Sequence, residues 1–323
     1  MKSKYIGHPS QLCGVMQFRM DGGKADGMRM LRVYNSAGLE FYVSLDRCAD
    51  LPMVNFKGSN MAYIAPCGLV GPQFYDNKGA GFLKSFTAGF LTTCGLTTFG
   101  SPCIDCGEEL PLHGNISHIP AENVRYDITD DVIVVKALIR DASLFGHQLV
   151  MHREIICPVA ENTITITDTV ENIGAKETPF MLLYHYNMGY PLLSESSVLE
   201  INSSSVVPRD DRAAEGINEW NKITSPTDDF EEQCYYHSFD SSPVVSLYNP
   251  DINKGIKMTF DTAELDCFTQ WKMLGDNEFV MGLEPGNAYP DGRDVMREKG
   301  ILKFLGAGEK LNKTVKIAFF EKN

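Results

Sequence analysis

The feature that most constrains this 323-residue chain is a succession of short runs in which apolar and polar side chains alternate. In the clearest run, Thr163–Glu171, Ile164, Ile166 and Val170 share one face of an extended chain and four threonines share the other. Because successive side chains of a strand point to opposite faces, this run predicts a half-buried β-strand. Two similar runs precede it, over residues 132–140 and 148–157. The turn-like segments between the three runs predict an antiparallel meander.

Many other runs of strand length follow one another with glycine and proline between them. They are Met30–Tyr34, Leu39–Leu45, Phe180–Asn187, Val244–Asn249, Ile256–Phe260, Phe268–Met273, Phe279–Glu284 and Thr314–Phe320. Helical periodicity is scarce, and only Gly81–Leu91 and Arg212–Asn221 could hold short helices. Strands and helices do not alternate, which argues against a doubly wound sheet. The sequence predicts an all-β sandwich or barrel with few short helices, in a single domain over residues 1–323.

The charge balance restricts the partners of this protein. Twenty-nine basic and 42 acidic residues give a formal net charge of −13, which argues against nucleic acid and anionic membranes because both attract clustered lysine and arginine. Nine cysteines are scattered through the chain in an odd number, whereas a secreted fold pairs them. We therefore expect a cytoplasmic protein.

One group of cysteines and histidines has the ligand types of a zinc site. Cys103 and Cys106 are followed by His113 and His118, but the central gap is about half that of a zinc finger and no finger-like helix surrounds it. Two buried thiols beside a histidine-bearing strand are the preferred interpretation, and no metal is expected.

Residues 85–104 carry no charge and contain three glycines, one proline and five threonines. This composition is too polar and too broken for a membrane-spanning helix. We expect the segment to form a buried wall of a cavity.

Three titratable residues lie in apolar surroundings. His113 is followed by Gly114, which allows close approach of a ligand or of another backbone. His185 lies within an apolar run, and Glu284 ends an uncharged run before a proline. A buried carboxylate is costly without a partner, and desolvation moves its pKa toward the range of a general base at neutral pH. The residues alone do not name a reaction, and neither a phosphate-binding loop nor a G-x-S-x-G motif is present.

The same segments carry motifs that resemble those of the aldose 1-epimerase (galactose mutarotase-like) family, with the closest likeness to a branch that has no assigned function. The motifs are Phe90–Leu96, Gly107–Gly114, Leu183–Pro191, Pro208–Asp210, Trp271–Met273 and Gly282–Pro285. Their order and separation, over residues 40 to 320, make the resemblance specific.

The resemblance implies a β-supersandwich of large twisted antiparallel sheets with an open sugar cleft. By position in the motifs, it implies that His185 is the general acid and Glu284 the general base of anomer exchange. His113 resembles a second histidine that contacts sugar oxygens. The resemblance also implies that Arg47 and Arg209 line the cleft. Trp271, Tyr184 and Tyr186 are the aromatic candidates for stacking against the apolar face of the sugar.

Anomer exchange needs one proton delivered and one removed, so the family's chemistry requires no metal or organic cofactor. Relatives commonly carry a basic residue shortly after the His-Gly pair. This chain has Asn115 there, so we expect a different sugar contact at this position. The expected partner is a small-molecule carbohydrate. The sequence does not say which sugar, whether it is phosphorylated, or whether the protein is a monomer or a homodimer.

Two other functions use the same residues. A non-catalytic sugar-binding or regulatory protein would keep Trp271 and the arginines but tolerate loss of Glu284. A glycoside hydrolase or lyase would need a second carboxylate about 5–9.5 Å from Glu284. Candidates for that carboxylate are Asp46, Asp50, Asp105, Glu108 and Asp210.

Overall fold

A computed structural model describes residues 4–322 of the chain. Its strands, in chain order, are β1 Gly14–Arg19, β2 Arg29–Tyr34, β3 Leu39–Ser44, β4 Val54–Phe56, β5 Ser59–Asn60, β6 Tyr63–Ile64, β7 Ala88–Gly89, β8 Leu91–Leu96, β9 Cys103–Asp105, β10 Glu108–Leu110, β11 Glu122–Ile128, β12 Val132–Ala142, β13 Gln148–Pro158, β14 Thr163–Asn172, β15 Thr178–Pro179, β16 Met181–Met188, β17 Val198–Ile201, β18 Ser205–Pro208, β19 Gln233–Ser238, β20 Val244–Asn249, β21 Lys254–Phe260, β22 Cys267–Gly275, β23 Glu278–Gly286, β24 Phe304–Leu305 and β25 Lys310–Phe320. Two short α-helices are α1 Asp211–Glu215 and α2 Arg293–Glu298. Short 3₁₀ turns occupy Pro9–Gln11, Gly23–Ala25, Pro72–Phe74, Gly81–Lys84, Ile116–His118 and Ile217–Glu219.

The predicted meander is confirmed by β12, β13 and β14, which pair antiparallel in sequence order. They belong to an eight-stranded sheet with the order β11-β12-β13-β14-β25-β21-β20-β17. A six-stranded sheet has the order β18-β19-β22-β23-β16-β8, and β1 to β5 form a third sheet. Every pairing between these strands is antiparallel, so the all-β expectation is confirmed.

The main hydrophobic core lies between the large sheets. Ile166 and Val315 of the eight-stranded sheet belong to the same buried cluster as Leu182 and Leu283 of the six-stranded sheet. On β16, Tyr184 and its alternate neighbours face this cluster. Side chains at odd-numbered positions of β16 therefore face the other side of the sheet, where Met181 and Leu183 pack in a second buried cluster and His185 lines a cavity.

A buried ionic network joins the two sheets. Arg153 on β13 contacts Asp168 on β14 through two hydrogen bonds of 2.9 and 2.6 Å, and donates to Asp50 at 2.6 Å. From the six-stranded sheet, Thr93 on β8 accepts from Arg153 at 2.8 Å and Tyr184 on β16 donates to Asp168 at 2.9 Å. The network thus holds β8 and β16 against the meander.

The helix expectation for Gly81–Leu91 is wrong. A single 3₁₀ turn ends at Lys84, and β7 and β8 follow, because Ala88 and Gly89 have φ values of 59° and 70° that no α-helix accommodates. The second candidate, Arg212–Asn221, is confirmed in part, because the helix α1 ends at Glu215 and a 3₁₀ turn follows over Ile217–Glu219. The Asp210 carboxylate caps the N-terminus of α1 by accepting from the backbone amide of Ala213 at 2.9 Å.

Candidate functional site

A cavity of about 470 Å³ opens on the face of the six-stranded sheet that points away from the core. His113, His185, Arg209, Trp271 and Glu284, all singled out from the sequence, line this cavity. Its other lining residues are Leu83, Phe86, Gly100, Ser101, Leu112, Glu232, Cys234, Thr269, Pro290 and Asp291. Phe86, Gly100 and Ser101 confirm that the uncharged segment 85–104 contributes a cavity wall.

Strand pairing brings the imidazole of His185 and the carboxyl group of Glu284 together. His185 lies on β16 and Glu284 on the neighbouring β23. His185 Nε2 is 3.3 Å from Glu284 Oε1, and the two side chains are only 5% and 2% exposed. The contact lacks hydrogen-bond alignment, and within residues 4–322 neither Glu284 Oε1 nor His185 Nδ1 has a hydrogen-bond partner.

Burial sets the charge state of this pair. Burial raises the pKa of Glu284 well above its usual value, and the negative charge of Glu232 raises it further while Arg209 opposes the rise. Burial also lowers the pKa of His185 well below its usual value, with His113 adding to the effect. Both shifts favour the uncharged forms, a carboxylic acid beside a neutral imidazole.

Gly282 makes room for this geometry. It pairs with Trp271 of β22, and a Cβ atom there would lie 2.2 Å from Glu284 Oε1 and 2.8 Å from Trp271 Cβ. Any side chain at position 282 would displace Glu284 or Trp271. The glycine of the Gly-Leu-Glu-Pro sequence is thus required by the site itself.

His113 approaches the pair from a loop. Its ring centroid lies 5.5 Å from that of His185, and its backbone has a φ of 58°, in the left-handed region. Gly114 follows with a φ of 74°, and a Cβ atom there would lie 2.4 Å from the carbonyl oxygens of Gly95 and Thr98. The His-Gly pair is therefore a packing requirement of this loop, and the strained histidine is typical of a functional position.

Burial lowers the pKa of His113 to about 4, with Glu232 acting in the opposite direction. An unfolded histidine binds a proton near pH 6.5, so below that pH the unfolded chain binds more protons than the folded one. We expect the contribution of His113 to fold stability to fall as pH drops from about 6.5 to about 4, by no more than about 1.4 kcal/mol per pH unit. His113→Asn should flatten this slope in thermal unfolding, since Asn tolerates a positive φ.

The matched control for that slope is His152→Asn, because His152 is exposed on β13. A slope that stays the same in His113→Asn would contradict the buried, neutral state of His113.

Three residues form the rim of the cavity. The guanidinium of Arg209 donates to Glu232 Oε1 at 3.0 Å and to Asp210 at 3.0 Å. The indole of Trp271 donates to Glu232 Oε2 at 2.8 Å, and its ring centroid lies 5.4 Å from that of His185. Glu232 thus fixes the orientation of both Arg209 and Trp271 above the buried pair.

Two of the expected cleft residues lie elsewhere. Arg47 is 5% exposed, and its guanidinium donates to the backbone carbonyls of Ser117, Val70 and Ser85 at 2.6–3.1 Å. Asn115 accepts a hydrogen bond from Tyr75 at 3.0 Å and does not line the cavity. Both side chains form hydrogen bonds within and between loops. Their positions in the sequence do not distinguish such side chains from side chains that line a cleft.

Other sequence expectations are also corrected. Tyr184 and Tyr186 are fully buried in the inter-sheet core, so neither can stack on a ligand in the cavity. The interpretation of two buried thiols is wrong, because Cys103 is half-buried and Cys106 is exposed. His118 stacks on Tyr75 at 3.7 Å between ring centroids. Among residues 4–322 there is no group of three or more His, Cys, Asp or Glu side chains arranged to hold a metal ion.

Four polar or thiol-bearing cavity residues were not singled out from the sequence. They are Glu232, Cys234, Thr269 and Asp291. Thr269 could have been found, since it lies two residues before Trp271 on one strand and therefore shares its face. Glu232 and Asp291 lie in loops, where no periodic pattern reports the direction of a side chain.

A family model described as "Domain of unknown function (DUF4432)" matches residues 25–319. In a comparison with curated proteins, no protein matches this sequence. Within residues 4–322, no helix has the length and apolar character that crossing a membrane requires.

Solved structures share the fold. A Klebsiella pneumoniae protein provisionally assigned as an aldose 1-epimerase superimposes with a TM-score of 0.90 at 24% identity, over 97% of this chain and 88% of that one. A galactose mutarotase-like protein from Clostridium acetobutylicum gives 0.72 at 13% identity, over 97% and 100%. Galactose 1-epimerase from Lactobacillus acidophilus gives 0.65 at 16% identity, over 96% and 100%. The expected galactose mutarotase-like fold is therefore confirmed.

Proposed function

The chain belongs to the family described as Domain of unknown function (DUF4432), and from its cavity we propose that it is an aldose 1-epimerase-like isomerase that interconverts the α and β anomers of a sugar. The observation that carries this proposal is the contact of 3.3 Å between His185 Nε2 and Glu284 Oε1 on the floor of a 470 Å³ cavity. A fold alone does not fix an activity, so the proposal depends on this pair.

The pair can supply both protons of the reaction. Transfer of the carboxyl proton of Glu284 to His185 gives a carboxylate beside an imidazolium without changing the net charge of the site. Glu284 then takes the proton of the anomeric hydroxyl while His185 donates its proton to the ring oxygen, and the bond between that oxygen and the anomeric carbon breaks. The new carbonyl rotates, and the reverse transfers close the ring on its other face.

His113 and Trp271 have supporting roles in this proposal. The Nδ1 atom of His113 is buried and has no hydrogen-bond partner within residues 4–322, and the residue lines the same cavity. It can hold a sugar hydroxyl beside His185. Trp271 offers an aromatic face whose orientation is fixed by Glu232, and carbohydrate C–H groups pack well on such a face.

The composition of the cavity also supports a small carbohydrate as the partner. Its lining combines aromatic and apolar side chains with a few polar groups, as in other small-molecule sites. The nine cysteines are all free, which supports a cytoplasmic setting. The formal net charge of −13 supports a protein that binds neither nucleic acid nor anionic membranes.

The direct test is exchange spectroscopy by NMR, or polarimetry, on a panel of free aldoses, ketoses and sugar phosphates. We expect the protein to accelerate anomer exchange of at least one sugar above its spontaneous rate. Acceleration of none would contradict the proposal. The same panel, followed by tryptophan fluorescence with a Trp220→Phe variant so that Trp271 alone reports, would identify a sugar-binding protein as one that responds to a sugar without exchanging its anomers.

A hydrolase has less support. Each of its five candidate second carboxylates lies outside the cavity lining. Glu232 and Asp291 do line the cavity, but their oxygens already accept hydrogen bonds. Those of Glu232 accept from Arg209 and Trp271, and those of Asp291 accept from Tyr236 and Lys299. If the protein nevertheless released the aryl group of an aryl glycoside, a hydrolase would become the preferred function.

We expect His185→Gln to lower the catalysed exchange rate by about 10²-fold, at the low end of the range for loss of a general acid. The loss is limited because His113 remains close by and can polarise the ring oxygen. The rate is measured under saturating sugar, with His152→Gln as the control because that side chain is exposed. A His185→Gln variant with the wild-type rate would remove His185 from the mechanism.

A further inference from the structure

Thr269 is a buried hydroxyl that faces the cavity. It lies on β22, directly opposite Glu284 in the register of β22 and β23. The residue is 1% exposed and belongs to the lining of the cavity. Its Oγ1 atom has no hydrogen-bond partner among the residues that the structure describes, 4 to 322.

Two residues with unsatisfied polar atoms therefore occupy directly opposed positions on neighbouring strands. Directly opposed residues of an antiparallel pair have Cβ atoms about 4.5–5.5 Å apart, yet Thr269 Oγ1 and Glu284 Oε1 do not bond to each other within the described chain. Buried polar groups normally find partners. A ligand hydroxyl placed between them can accept from Thr269 and donate to Glu284 at the same time.

We infer that Thr269 contacts the substrate and holds the anomeric oxygen, the atom whose proton Glu284 removes. This inference rests on the proposed anomer exchange. The hydroxyl of Thr269 donates to a lone pair of the anomeric oxygen, and it can keep that bond when the oxygen becomes the carbonyl oxygen of the open chain. Thr269 thereby directs the O–H of the sugar toward Glu284.

The test compares two ligands and two variants. The ligands are the aldose that the wild-type protein exchanges fastest and the corresponding 1,5-anhydroalditol, which lacks the anomeric hydroxyl; for D-galactose this is 1,5-anhydro-D-galactitol. Thr269→Val removes the hydroxyl but keeps the branched shape, and Thr269→Ser keeps the hydroxyl. Affinities are measured by calorimetry and exchange rates by NMR.

We expect Thr269→Val to weaken binding of the aldose by about 5- to 10-fold, while binding of the anhydroalditol stays at the wild-type value. The exchange rate should fall by at least the same factor, and Thr269→Ser should retain most of both. A merely structural role would weaken both ligands equally.

Equal weakening of both ligands would overturn the inference, and so would an unchanged affinity and rate for the aldose in Thr269→Val. In either case the proposed function would stand, because the wild-type protein still exchanges anomers. If the wild-type protein accelerates exchange of no sugar in the panel, the proposed function and the role of Thr269 are both overturned.

Discussion

Glu284→Gln is expected to lower the catalysed rate of anomer exchange by about 10³- to 10⁴-fold while the protein remains folded. Glutamine has nearly the same shape as glutamic acid, so the packing against Trp271 and Gly282 is kept. It cannot accept the proton of the anomeric hydroxyl. The other acidic side chains of the cavity lining, Glu232 and Asp291, already accept hydrogen bonds on both oxygens. They therefore offer no ready replacement for the base, whereas His113 can partly replace His185.

The measurement is the exchange rate by NMR together with thermal unfolding. Glu200→Gln is the matched control, because Glu200 lies exposed on the edge strand β17 of the other large sheet. A Glu284→Gln variant that exchanges anomers at the wild-type rate would eliminate Glu284 as the base. Loss of exchange with retained sugar affinity would separate the proposed enzyme from a sugar-binding protein, which tolerates this substitution.

The same substitution has a stability signature. Burial raises the pKa of Glu284, so above pH 4.5 the unfolded chain releases a proton that the folded chain keeps. The contribution of Glu284 to the free energy of unfolding is therefore fully present below pH 4.5. It is lost as the pH rises toward the pKa that Glu284 has in the folded state. Glu284→Gln removes this loss, and we expect its melting temperature to exceed that of the wild type by more at pH 8 than at pH 5. Such a gain is typical of groups kept for function at a cost in stability.

The strands were the most predictable part of this molecule. The run over residues 163–171 became β14 with one residue added, and the run Val244–Asn249 coincides with β20. Both have a side-chain period of two that follows from burying one face of a sheet, which the sequence reports directly. Strands such as β19 have no such pattern because both their faces are covered, and residues 233–238 were accordingly not recognised.

Site residues were predictable where a glycine in the same motif is needed to make room for them. His113 needs Gly114 for a close backbone contact, and Glu284 needs Gly282 to leave room for its carboxyl group. Such pairs are visible in one sequence. Arg47 shows the opposite case, because a guanidinium bonded to backbone carbonyls and one that faces a cavity have the same local sequence.

Asp168 shows a second limit. The alternation of residues 163–171 places it on the core face with Ile166 and Val170, where a carboxylate contradicts the apolar pattern. Its charged partner Arg153, 15 residues earlier on the preceding strand β13, resolves the contradiction, and Tyr184 donates a further hydrogen bond. A buried charge in a strand thus predicts that a partner exists, but the sequence does not identify it.

Replacing that partner should have the largest effect on stability in this chain. We expect Arg153→Met to lower the free energy of unfolding by at least about 3–5 kcal/mol, because it leaves the buried carboxylates of Asp50 and Asp168 without their shared cation. The loss is measured by denaturant unfolding. Arg140→Met is the control, since Arg140 is exposed on the adjacent strand β12 and should cost about 1 kcal/mol or less.

The penalty in Arg153→Met comes from uncompensated charge, so neutralising the carboxylates should relieve it. Burial already raises the pKa of Asp50, although Arg153 and Thr93 oppose the rise. We therefore expect the triple variant with Asp50→Asn and Asp168→Asn to recover part of the lost stability. A triple variant that is less stable than Arg153→Met would contradict this explanation. The arginine would then stabilise the fold through its hydrogen bonds and its volume, because replacing the two aspartates would only remove further contacts. Because Thr93 and Tyr184 connect this network to β8 and β16, a loosened network should also lower the exchange rate through the strand that carries His185.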